Sequence, residues 1–254
     1  MVRKYENDGW DGWDGWDEWD GWDGWDGWDE KYLQCTFNGD WMLSSNSRFE
    51  KYTIRTEQPC DFKAIENLTR EAFWNVYRPG CTEHYVLHCY RESPDFIPEL
   101  SLVLEVGGEI VGHVMYAWSH IDADDGRKIR MMTFGPISIH PDFKRKGYGK
   151  ILLDHSMELA KKMGAGCLLI VGNIDFYGKS GFVPALTKGI RYADDPEATY
   201  FLCKELDDGF LHGITGSYHD PEGYFVADQN PEAFEQFDAE FPPKEKLKLP
   251  GQLF

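Results

Sequence analysis

The 254 residues are 42% hydrophobic and 28% charged, enough apolar material for one large or two small buried cores. A formal net charge of −18 sets the chain against phosphate backbones and argues against nucleic acid as a bulk partner. The six cysteines form no CxxC pair, no apolar run reaches membrane-spanning length, and no hydrophobic stretch follows Arg3 and Lys4. A cytoplasmic protein with free thiols is therefore expected.

In chain order, residues 1–30 carry eleven acidic side chains against Arg3 and Lys4. From Asp8 to Glu30 the unit Asp-Gly-Trp repeats, with tryptophans at 10, 13, 16, 19, 22, 25 and 28. A period of three fits neither helix nor strand and matches polyproline II or a loose turn array. Residues 1–50 thus read as a low-complexity tail and linker. The alternative is a multivalent tail whose indoles bind a partner.

Lys51 to Thr56 alternates as a strand does. Pro59 and Asp61 open a helix to about Asn75, with Phe62, Ile65, Leu68, Ala72 and Phe73 on one face, and Arg78-Pro-Gly80 breaks it. A second helix is predicted from Thr82 to about Arg91. Leu100–Val106 and Glu109–Trp118 flank Gly107-Gly108, a hairpin signal. Met131–Ile139 reads as a strand, Gly147–Met163 as a helix closed by Gly164 and Gly166, and Cys167–Val171 and Ala198–Glu205 as further strands. This order predicts an α/β domain over residues 51–206, with a mixed sheet covered on both faces. Residues 207–254 are too rich in aromatics for a free tail and are expected to pack on that domain, walling a pocket or forming a homodimer contact.

The chemistry concentrates between Phe134 and Lys150. A strand ends at His140-Pro141, a short loop carries Lys144, Arg145 and Lys146, and Gly147 and Gly149 open the helix. Glycines let a ligand approach the backbone, and the exposed N–H groups of a helix start attract anions. With Lys150 added, four cations stand out in an acidic chain: a polyphosphate cradle. A Walker loop would need an earlier glycine and a hydroxyl residue after Lys150; a dinucleotide fingerprint would need glycine at Leu152.

The loop Lys144-Arg-Lys-Gly147-Tyr-Gly149 resembles the acetyl-CoA loop [QR]xxGx[GA] of the GCN5-related N-acetyltransferase (GNAT) superfamily, with lysine in the first position. A second match follows in Tyr177-Gly-Lys-Ser-Gly181-Phe182, the superfamily's YxxxGF, whose tyrosine lies near the CoA sulfur. The segments at 67–75, 134–136, 176–177 and 241–246 are similar to YhbS-like predicted bacterial N-acetyltransferases.

The resemblance implies a mixed, mostly antiparallel central sheet with helices on both faces, and acetyl-CoA as cosubstrate. It implies that Lys144, Arg145, Lys146, Gly147, Tyr148, Gly149 and Lys150 surround the pyrophosphate. Ile137, Ser138 and Ile139 would pair with the pantetheine arm, and Asn173 and Tyr177 would add contacts. The implied reaction is direct attack of a primary amine, from a small molecule or a protein, on the thioester. Tyr177 is then the candidate acid and the Ile139 N–H, or a neighbour's, the oxyanion donor. No carboxylate lies between Met131 and Ile139, so Glu83 on the second helix is taken as the base, with His84, Glu105 and His113 as alternatives. Cys81, His84, His88 and Cys89 lack a second ligand pair, and no metal is expected. The competing reading is a catalytically silent CoA-binding sensor with an interaction tail.

Overall fold

The computed structural model describes residues 33–35, 41–43, 50–250 and 252. The Asp-Gly-Trp repeat lies outside the described residues. Strands β1 (Leu33–Cys35), β2 (Trp41–Leu43), β3 (Tyr52–Thr56), β4 (Leu102–Val106), β5 (Glu109–Ala123) and β6 (Lys128–Ile139) form an antiparallel run. Then β7 (Cys167–Val171) joins β6 in parallel, and β10 (Phe201–Glu205) follows it antiparallel, bordered by β8 (Val183–Pro184). Near the far end of β5, β11 (Gly216–Tyr218) pairs with Ile121–Ala123, and β9 (Ile190–Tyr192) runs parallel to β11. The sheet is mixed but mostly antiparallel, with helices on both faces.

Two differences from the sequence reading matter. The stretch read as linker contains β1 and β2, and β2 pairs with β3, so the sheet begins before Lys51. The region after residue 206 adds β11 and two helices, α5 (Val226–Gln229) and α6 (Pro231–Asp238). Asn230 caps α6 by accepting from the Ala233 N–H, and Pro231 supplies the first helical residue.

Strand alternation assigns the faces. Leu102 and Leu104 pack with Tyr148, Leu152 and Leu153 of α3 (Tyr148–Lys162), whereas Val103 packs with Ile65 of α1 (Phe62–Phe73) and Leu87 of α2 (Glu83–Tyr90). On α3 the buried positions 152, 153, 156, 157 and 160 recur at helical spacing. Gly164, at φ +90°, ends that helix, and Lys161 and Lys162 complement its dipole.

Candidate functional site

The sheet opens where β6 and β7 part. Their pairing is confined to Met132↔Leu168, after which β6 runs on to Ile139 against β5 alone. The His140 N–H donates to the Val111 carbonyl at 2.8 Å, and Ile139 and Ile137 lie opposite Gly112 and Val114. In antiparallel geometry this turns the N–H and C=O of Ile137 and Ile139 toward the edge away from β5. That edge is a ready ladder for an extended ligand. Register shifts between Val114 and Tyr116, where Gly135-Pro136 supplies an extra residue on β6; Pro136 brings no N–H to the ladder. Ser138 faces the other way and donates to Thr69 Oγ1 at 3.0 Å, fastening the strand to α1.

The basic loop follows directly. A short 3-10 turn, Pro141–Phe143, leads to Lys144; Arg145 stands at φ +61° and Gly147 at φ +86°. The left-handed residue at 147 is the N-cap of α3, so the chain reverses sharply and the first amides of the helix face outward. Tyr148 and Gly149 are buried, Tyr148 with its ring 6.3 Å from Tyr52 and 6.0 Å from Phe143. The tyrosine therefore anchors the loop, and backbone N–H groups remain for an anion.

The cations divide between tasks. Arg145 and Lys146 are exposed, with Lys146 Nζ 4.8 Å from the Phe143 ring. Lys144 turns inward and donates to the Ala72 carbonyl at 3.3 Å near the end of α1, where burial lowers its pKa. Lys150 pairs with Asp154 at 2.5 Å, and Asp154 accepts from Ser180 at 3.0 Å. Those bonds tie α3 to the turn after Tyr177. The positive field at the loop rests on Arg145, Lys146 and the helix dipole.

Across the opening, α4 (Ile174–Tyr177) leaves β7. Asn173 caps it by accepting from the Asp175 N–H at 2.8 Å. Tyr177 is packed among Phe134, Phe176 and Phe182, with centroids 5.9, 4.7 and 5.5 Å away. Gly172 makes room for it: a Cβ there would fall 2.4 Å from the Tyr177 ring. Burial pushes the phenol well above its ordinary pKa, so it holds its proton at neutral pH, as a proton donor must.

Tyr177 thus packs against Phe134 of β6, and Ser180 just past it bonds to Asp154 of α3. Glu83 lies elsewhere. Its carboxylate accepts the Thr82 N–H at 2.9 Å and the Cys81 thiol at 3.1 Å, serving the start of α2, on the face of the sheet opposite Tyr177 and α3. Glu105 is held by Arg55, and fully buried His113 lies against Ser101 at 3.1 Å and Glu57 at 3.4 Å. His84 is bonded to Asp238 and His88 to Glu66, so the histidines of α2 serve separate partners. Among the described residues no cluster of His, Cys, Asp or Glu is arranged to hold a metal ion. The region after residue 206 brings Tyr224 against α2, its ring 5.4 Å from that of Tyr90.

Residues 65–182 match the family model described as the acetyltransferase (GNAT) family. The structure is similar to that of the GNAT family N-acetyltransferase YhbS from Escherichia coli in complex with CoA, at 21% identity and a TM-score of 0.61, over 71% of this chain and 96% of that one. It is also similar to a GNAT family acetyltransferase from Brucella melitensis in complex with acetyl-CoA, at 22% identity and a TM-score of 0.55, over 69% of this chain and 99% of that one. No curated protein matches the chain.

Proposed function

We propose, from the match of residues 65–182 to the acetyltransferase (GNAT) family model, that the protein is an acetyl-CoA-dependent N-acetyltransferase acting on a primary amine. The observation that supports the reading is that β6 leaves β7 after Met132 and runs, through its unpaired edge, straight into the left-handed Gly147 start of α3. The amides from Arg145 to Lys150 receive the pyrophosphate, with Arg145 and Lys146 adding charge. Ile137 and Ile139 offer ladder hydrogen bonds to the pantetheine amides, as an added strand would. Asn173 lies on the wall formed by α4.

In the proposed reaction the amine nitrogen attacks the thioester carbonyl carbon, while the Ile139 N–H donates to the developing oxyanion. The C–S bond breaks, Tyr177 gives its proton to the departing sulfur, and the proton that the nitrogen loses restores the phenol. Cys60, Cys81, Cys89, Cys167 and Cys203 are free thiols, in keeping with the proposed cytoplasmic location. No helix among the described residues is long and apolar enough to cross a membrane.

The test is release of free CoA thiol from acetyl-CoA in the presence of polyamines, amino acids, aminoglycosides and peptides. Amine-dependent release with at least one class is expected. Binding of acetyl-CoA without release to any amine would favour the silent sensor.

A further inference from the structure

Segments 67–75 and 241–246, to which acetyl transfer gives no task, meet around a cavity of about 440 Å³. Small-molecule sites span roughly 300–1,000 Å³. The cavity is lined by Arg70 and Trp74 at the end of α1, and by Asp238, Phe241, Lys244 and Lys246 at and beyond the end of α6.

Hydrogen bonds fix these walls. Arg70 is 1% exposed and donates through Nε to Asp238 at 2.7 Å and through Nη1 to the Pro242 carbonyl at 3.1 Å. Its Nη2 has no hydrogen-bond partner among the described residues. The guanidinium carbon lies 4.1 Å from the Trp74 ring centre and 5.5 Å from that of Phe241. The Trp74 indole N–H is committed to the Glu245 carbonyl at 2.9 Å. Asn75, at φ +61°, accepts through Oδ1 from the N–H groups of Gly80 and Leu247. The chain is thus held on both sides of Lys246. Gly80 makes room for the lysine stem, since a Cβ there would stand 3.2 Å from its Cε.

The charges do not cancel. Asp238 balances Arg70, and Glu71 balances Lys244 at 2.7 Å. Burial raises the Asp238 pKa, but Arg70 above all, with His84 and Lys246 behind it, holds that carboxyl below its ordinary value. Lys246 therefore stands near Asp238, yet it makes no ion pair within 4.0 Å among the described residues; its Nζ lies 5.9 Å from the Phe234 ring. One positive charge is in surplus here, in a chain whose net charge is −18.

We infer that this cavity is a binding site for an aromatic monocarboxylate, separate from the acetyl-transfer chemistry. Lys246 Nζ and Arg70 Nη2 donate to the two carboxylate oxygens, and the ring lies against Trp74 and Phe241. A surplus of one charge selects a monoanion over a phosphate dianion. Lys144 of the basic loop donates to the Ala72 carbonyl, two residues from both Arg70 and Trp74, so CoA is the competitor to exclude.

The full-length protein is titrated by calorimetry with indole-3-acetate and with phenylacetate, alone and at saturating CoA, beside indole-3-ethanol as the uncharged analogue. Saturable heat is expected with at least one acid, equal with and without CoA, and the alcohol should bind about tenfold or more weakly than its acid. Lys246→Gln keeps the stem on Gly80 and removes the charge. Its affinity for the acid should fall by about tenfold or more, with Tm unchanged because no ion pair is lost. No heat with either acid, an alcohol that binds as tightly as its acid, or wild-type affinity in K246Q would overturn the site. Loss of the acid's heat at saturating CoA would overturn it too, by assigning the cavity to the cofactor. The acid and alcohol are compared on the wild type, so that arm stands even if K246Q unfolds. Acid heat in a protein that binds no CoA would contradict the acetyl-transfer reading and leave this site in place.

Discussion

At the scale of single residues, environment decides which titratable groups are available. Tyr177 has an aromatic cage and a pKa raised by burial, which suits an acid that must stay protonated until sulfur departs. Tyr177→Phe keeps the cage and removes the proton. It should lower kcat by about a hundredfold and leave CoA affinity nearly unchanged. Steady-state kinetics beside a CoA titration checks this, and unchanged kcat would remove Tyr177 from the chemistry. Glu83 shows the converse. Its position on α2 was legible, but its commitment to the Thr82 N–H and the Cys81 thiol arises only when the helix start forms. Lys144 is similar: the charge reads as phosphate-binding, yet the side chain finds the Ala72 carbonyl near the end of α1.

At the scale of elements, the loop and helix that follow β6 were the most legible part of the molecule. Gly147 and Gly149 mark the turn, and 152, 153, 156, 157 and 160 mark the buried face of α3. The left-handed N-cap makes a direct prediction. A β-branched residue resists φ +86°, at a cost of about 1–3 kcal/mol, so Gly147→Val should misplace the first amides of α3. CoA affinity is expected to drop by about tenfold or more while the far-UV circular dichroism stays native. Equal affinity in calorimetry would show that these amides do not hold the diphosphate. The opening between β6 and β7 was not legible, because it depends on where two strands 28 or more residues apart stop pairing, with a bulge at Gly135-Pro136 between them.

At the scale of the whole molecule, the C-terminal region is part of the folded structure. Arg70 on α1 is 1% exposed and donates to Asp238 at 2.7 Å and to the Pro242 carbonyl at 3.1 Å. Asp238 also meets His84 at 3.1 Å, whose ring sits among Phe234, Phe237 and Phe241. Trp74 and Asn75, just past α1, both donate to the Glu245 carbonyl. Burial holds His84 at about 4, below the ordinary 6.5, with Asp238 pulling the other way. The folded state thus refuses a proton that the unfolded chain accepts. Stability is complete above about pH 6.5 and falls as the pH drops toward 4, by up to about 3 kcal/mol from this group. A Tm series from pH 7 to 4 should decline more steeply for wild type than for His84→Gln. Parallel curves would show that His84 is not held neutral by the fold.

Calorimetric titration of the full-length protein with CoA tests the central claim most directly, because the β6 edge and the α3 amides have no other stated task. The account predicts saturable heat at one CoA per chain, lost when Arg145 and Lys146 are both replaced by glutamate. Absence of heat in the wild type, or undiminished heat in the charge-reversed protein, would contradict it.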